Sequence, residues 1–192
     1  MAAPAFSSPQ AILLRTAFDR LFGSPAKAEG LLVSMPHPEA LKAVLSGTIA
    51  GYISSPPFSQ ILERDPRIHS VWKSSSIFEG KPASAVVLGA TQAFVEANPK
   101  LAKAVVAGLE DAGELIRKDP KRAAEIYLGF EKVNLPMAEI ERILTDGSIT
   151  YGVAPHGIII YGQMMQRLGM LKTVPAKWQD AFFPVIGERD GD

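Results

Sequence analysis

The chain has 192 residues, 47% of them hydrophobic and 21% charged, with 20 Lys and Arg set against 20 Asp and Glu for a formal net charge of zero. That composition is globular, and a neutral balance without any basic run gives no electrostatic reason to expect nucleic acid or an anionic membrane surface as a partner. The absence of cysteine excludes disulfide frameworks, thiol catalysis and zinc ribbons, and fits an oxidising or a reducing compartment alike.

From the N-terminus, residues 1–8 carry no basic segment, and Pro4 and Pro9 interrupt any apolar stretch, so no secretion signal is expected in the chain as written. Ser8 followed by Pro9, with Leu14, Ala17, Phe18, Leu21 and Phe22 on one face and Gly23 beyond, predicts a capped helix. Residues 30–35 are short, apolar and closed by Pro36, the pattern of a buried strand. A helix over 38–46, ending at Gly47, and a second strand over 49–54 then predict a βαβ unit with parallel pairing. The two prolines at 56 and 57 force the chain out of the sheet, and a short helix over 58–64 follows. Residues 68–76 and 83–90 read as further strands. The apolar run over 83–95 contains Ser84, Thr91 and Gln92 and falls short of the ~18 uninterrupted apolar residues of a spanning helix, so no membrane insertion is expected.

Beyond residue 90 the pattern becomes helical. Asn98 before Pro99 and Asp119 before Pro120 are two cap-then-proline starts, opening a helix to Lys118 and another to about residue 128. Leu101, Val105, Leu109, Ala112 and Ile116 form one apolar stripe on the longer helix. Helical patterns recur over 136–146 and 158–168. Four amphipathic helices need apolar surface to pack against: they form a small bundle among themselves, or they belong to a sheet that these residues do not contain.

His37, His69 and His156 show no metal-ligand spacing, and His37 is expected at a helix start. No short signature for acyl transfer, phosphate cradling or dinucleotide binding occurs, and the pairs Glu110 with Glu114 and Glu139 with Glu141 read as solvated helix faces. No cofactor is called for. Ser7, Ser8 and Gln10 surround a helix start, where free amides and the helix dipole favour an anion; the alternative is a plain capped helix. Ser54, Ser55 and Pro57 follow a strand of the βαβ unit, at the carboxyl edge where open parallel sheets bind ligands. If the chain entering Ser7 is the neighbouring strand, both serine pairs face one cleft.

These segments resemble the periplasmic substrate-binding proteins of ABC importers, in the nitrate, sulfonate and taurine branch. The likeness runs from Ala3 through Ser7, Ser8, Pro9 and Gln10 to Ser54, Ser55, Pro56, Pro57 and Phe58, through the helix ending at Gly47, and on to Phe94, Asn98 and Pro99. It continues over Tyr151, Pro155, His156, Gly157 and Tyr161, and over Arg167 to Lys172 and Pro175 to Pro184. The resemblance implies an α/β, periplasmic-binding-protein-like (type II) two-lobe fold lacking most of its N-terminal lobe. Residues 1–82 would form the second lobe, 83–90 a hinge crossover, and 91–192 a helical return to the first lobe. It implies a small polar or anionic solute such as a sulfonate, nitrate or taurine, held in an interlobe cleft by Ser7, Ser8, Gln10, Ser54, Ser55 and Pro57. It further implies permease and ATPase subunits as partners, no catalysis and a periplasmic location. Thiamin-pyrimidine synthases share the fold and offer an enzymatic alternative, but their branch carries a cysteine-rich motif that is absent here. The sensing domain of a regulator is a third reading, and no helix-turn-helix accompanies it.

Overall fold

Side-chain caps fix the starts of three of the helices. The computed structural model describes residues 1–131, 135–187 and 189–192. Helix α1 (Pro9–Phe22) starts with Ser8 Oγ accepting from the Ala11 amide at 3.3 Å and ends at Gly23, whose φ of 70° makes it a left-handed cap. Helix α2 (His37–Leu45) carries Pro38 in its first turn, and α3 (Phe58–Leu62) follows Pro57. An unanticipated helix, α4 (Gln92–Ala97), is capped by Thr91. Helices α5 (Pro99–Lys118), α6 (Pro120–Phe130), α7 (Met137–Leu144) and α8 (Ile158–Arg167) follow. Asp119 caps α6, accepting from the Arg122 amide at 2.9 Å. Asn98 does not cap α5; its side-chain amide donates to the Phe94 carbonyl at 2.9 Å and closes α4 instead.

The strands fall short of their sequence patterns. Strand β1 (Ala2–Ala3) pairs in parallel with β2 (Val33–Ser34), and Ala2 also makes a parallel bridge to Tyr52. Ala2 donates to Gly51 at 2.9 Å and accepts from Ile53 at 3.0 Å, while Met35 donates to Ala3 at 2.9 Å. The segments around residues 33 and 52 therefore do not pair with each other: β1 lies between them. The strand expected over 30–35 shrinks because Gly30 and Leu31 belong to a 3-10 turn, Pro25–Leu31. Residues 68–76 form no ladder and end in a 3-10 turn at Ser74–Ser76. Residues 83–90 are irregular, and among the described residues the backbone of 85–90 has no hydrogen-bond partner. A β pattern becomes a strand only when a neighbouring chain supplies the ladder, and here none does. The molecule is accordingly mostly helical with a small sheet.

The chain divides into two compact units, Met1–Ala85 with Gly157–Ala176, and Val86–His156 with Lys177–Asp192. In the first, α1 is apolar on two sides and serves two cores. Ala11 and Leu14 pack with Ala3, Ala28 and Leu32, next to Met1, Phe18 and Ile53. Ile12 and Leu13 pack with Ile77, Phe78 and Met164, the last brought in by α8. Each fully buried large side chain contributes about 1.5–3 kcal/mol. Arg167 on α8 also pairs with Asp19 on α1 at 2.9 Å.

In the second unit, α5, α6 and α7 pack consecutively. Gly113 is the buried residue of α5, because an added Cβ would lie 2.9 Å from the Tyr151 carbonyl oxygen. On α7, Ile140, Ile143 and Glu139 are buried, with Glu139 paired to Arg142 at 2.8 Å. Trp178 is buried against Phe182 and Gly191, and Arg189 reaches Glu110 at 2.7 Å. The expected apolar stripe of α5 is not buried: Leu101 is 49%, Val105 40% and Leu109 46% exposed. No helix among the described residues is long and apolar enough to cross a membrane.

Candidate functional site

Three parallel segments end on the same side of the small sheet, and each carries polar side chains just past its last paired residue. After β1 come Ser7 and Ser8, after β2 comes His37, and after Tyr52 come Ser54 and Ser55. The loop from Pro4 to Ser8 is held by Arg15, which donates to the Phe6 carbonyl and is itself fixed by Glu29 at 2.6 Å. Ser34 Oγ ties down the same loop by donating to the Pro4 carbonyl at 3.2 Å.

Ser7 is exposed, and Ser8 and Gln10 are half-buried at the start of α1. The Ser8 hydroxyl oxygen is engaged as a cap, so what this segment offers is the exposed Ser7 hydroxyl and the first amides of α1. Ser54, Ser55 and Pro57 are half-buried, Pro57 immediately preceding α3 and joined to Pro56 by a cis peptide bond. Of these candidates only Ser55 has a side-chain partner across the fold: its Oγ lies 3.3 Å from His37 Nε2.

His37 connects the edge. Its Nδ1 is hydrogen-bonded to the Tyr52 hydroxyl, its Nε2 faces Ser55, and its ring stacks on Phe58 with centroids 5.1 Å apart and planes 13° from parallel. The ring is half-buried at the first position of α2. Burial lowers its pKa from the ordinary imidazole value, and burial pushes the Tyr52 phenol upward. Both groups are thus neutral near neutrality, and the chain Tyr52, His37, Ser55 is a continuous hydrogen-bonded relay of two hydroxyls and one imidazole. In the sequence His37 stands at a helix start, 18 residues from Ser55, with no local pattern joining the two. The signal that would have found it is the rule already applied to Ser54 and Ser55: His37 stands three residues past Ser34, at the carboxyl end of its own strand.

Away from this edge, a hollow of about 180 Å³ lies between α1 and α8 and is lined by Thr16, Asp19, Met164 and Arg167 among others. It is below the roughly 300 Å³ of small-molecule pockets, and its charged pair Asp19–Arg167 is mutually satisfied. Among the described residues no group of His, Asp and Glu is placed to hold a metal ion.

The parallel sheet edge is lined by hydroxyl, imidazole and amide groups, and it is at the carboxyl edge of parallel strands that open α/β sheets bind ligands. Residues 1–128, two thirds of the chain, match the NMT1-like family, and the chain belongs to that family. Its fold is periplasmic-binding-protein-like, and its members are in general binding proteins, consistent with a solute-binding role. No curated protein and no solved structure matches the chain.

Proposed function

We propose that the chain is the solute-binding component of an ABC importer, taking a small polar or anionic organic solute at the carboxyl edge of its parallel sheet. The observation that carries this reading is the meeting of His37 and Ser55 past the ends of two segments that both pair in parallel with β1, whose own continuation leads to Ser7. Its physical basis is preorganisation: the donors are held by backbone pairing and by the relay, so little side-chain entropy is lost when a ligand arrives. Ser8, Gln10, Ser54 and Pro57 would shape the same edge. Permease and ATPase subunits would receive the solute, and the location would be extracytoplasmic.

We propose further that the protein is a two-lobe binding protein whose remaining lobe covers the open apolar surfaces of the second unit. In support, Val86, Val87 and Leu88 are 88%, 60% and 72% exposed, and α5 presents Leu101, Val105 and Leu109 to solvent. Consecutive apolar residues project to both faces of a strand, the pattern of a parallel strand covered on both sides.

Thermal unfolding in the presence of ethanesulfonate, taurine, nitrate, succinate or a neutral pyrimidine tests the solute-binding reading. A cognate solute at a hundredfold excess over its Kd adds about 2.7 kcal/mol of stability and raises Tm accordingly. No shift and no calorimetric heat from any member of the panel would sink it.

A further inference from the structure

We propose that the Tyr52–His37–Ser55 relay is an anion-sensing donor switch: an oxyanion bound at Ser55 is held by a hydroxyl whose direction His37 sets, and its binding draws one proton from solvent onto His37. The proposal rests on the solute-binding reading and specifies its ligand class and pH response.

The argument begins with donor counting. A neutral imidazole has one N–H and one bare nitrogen, whereas an imidazolium has two N–H groups and no acceptor. In one neutral tautomer, Nδ1–H donates to Tyr52 and the bare Nε2 accepts the Ser55 proton, which points the Ser55 lone pairs outward and repels an anion. In the other, Tyr52 donates to Nδ1 and Nε2–H donates to Ser55, so the Ser55 proton turns outward. Protonated His37 enforces the second polarity at Ser55, since both ring nitrogens then donate and neither hydroxyl can direct its proton inward. An anion at Ser55 therefore disfavours the Nδ1–H tautomer by selecting the outward hydroxyl, and by its charge favours imidazolium over the neutral Nε2–H tautomer that remains. Phe58, stacked on the ring, presents its π face to the cation as well.

The surroundings leave this balance to the ligand. Strand β1 and helix α3 carry no ionisable residue, the segment from Gly51 to Ser55 carries only Tyr52, and α2 itself carries Glu39 and Lys42. Burial lowers the His37 pKa. The ring also sits at the positive end of α2, which disfavours a cation until an anion compensates.

The test uses two independent readouts on the 192-residue chain. Exchange of the imidazole C2 hydrogen, followed by mass spectrometry, yields a separate titration for His37, His69 and His156. Ethanesulfonate, whose charge is constant across the pH range, should raise the His37 midpoint and leave the other two in place. In calorimetry its Kd should fall by up to about tenfold per pH unit as pH drops through the His37 window. His37→Gln should make that profile flat, and Ser55→Ala should weaken ethanesulfonate about ten- to hundredfold at every pH. Ethanesulfonate binding with an unmoved His37 midpoint overturns the relay while the solute-binding reading stands. Binding of a neutral pyrimidine but of no anion does the same. Absence of heat and of any midpoint shift with every solute ends both.

Discussion

The two units differ in how completely they bury what their sequences make apolar. In Met1–Ala85 with Gly157–Ala176, α1 lies between two clusters, and its Ile12, Leu13 and Leu14 are all nearly inaccessible. In Val86–His156 with Lys177–Asp192, α5 carries a single apolar stripe yet leaves Leu101, Val105 and Leu109 exposed and buries Gly113. Amphipathicity prescribes that a face be covered and is silent about by what. The first unit covers the N-terminal two thirds of α1 with chain that returns from 77, 78 and 164 and leaves Leu21 and Phe22 exposed, whereas the stripe of α5 stays 40–49% exposed at Leu101, Val105 and Leu109.

The sharpest way to break this contrast is a pair of truncations. Phe78→Ala, at 3% exposure and 5.1 Å from the Tyr161 ring, should cost about 3–5 kcal/mol in urea unfolding. Leu109→Ala on α5 should stay within about 0.5 kcal/mol, as surface changes do; a loss comparable to the Phe78 variant would mean that the stripe is covered. Next in size is Gly113→Ala, where the new methyl meets a backbone carbonyl at 2.9 Å and should cost about 1–3 kcal/mol. Gly108→Ala, five residues earlier on the same helix with open space around it, should instead gain about 0.5–1 kcal/mol of helix stability. Equal effects at the two glycines would show that Gly113 is not the contact point.

Ser8→Ala should remove about 1 kcal/mol by stripping the α1 cap. Because the cap belongs to the sheet edge, Ser8→Asp, which keeps the cap and adds a negative charge, should retain stability and lose anion binding. The smallest effect is electrostatic. Arg67 lowers the Asp65 pKa to about 2 through a side-chain hydrogen bond at 2.6 Å. A carboxylate depressed in the folded state stabilises above its unfolded pKa and loses that contribution as pH falls through the folded value. The effect therefore disappears between about pH 4 and pH 2, and Arg67→Gln should return the Asp65 titration, read by carbon NMR, toward the ordinary range.

Helix starts were readable because their causes are local. Ser8 with Pro9 and Asp119 with Pro120 combine a side-chain acceptor with a residue that needs no amide partner, and both act within one turn. Asn98 shows the limit of that rule, since the same side chain had a competing carbonyl, that of Phe94, one turn back. Part of the site was readable for a similar reason: Ser55 stands at the end of a strand pattern. Its partner His37 is 18 residues away, and no local rule connects them.

The sequence alone determined the starts of α1 and α6 with their caps, the course of the longer helices and the neutral charge balance, because each rests on neighbours within a few residues or on composition. The tertiary structure decided which strand patterns became strands, that β1 stands between the segments at 33 and 52, and that α8 joins the first unit. Those outcomes depend on which distant chain supplies a hydrogen-bond ladder or an apolar face. For the same reason the relay of Tyr52, His37 and Ser55 exists only once β1 has drawn the strand ends to a common edge.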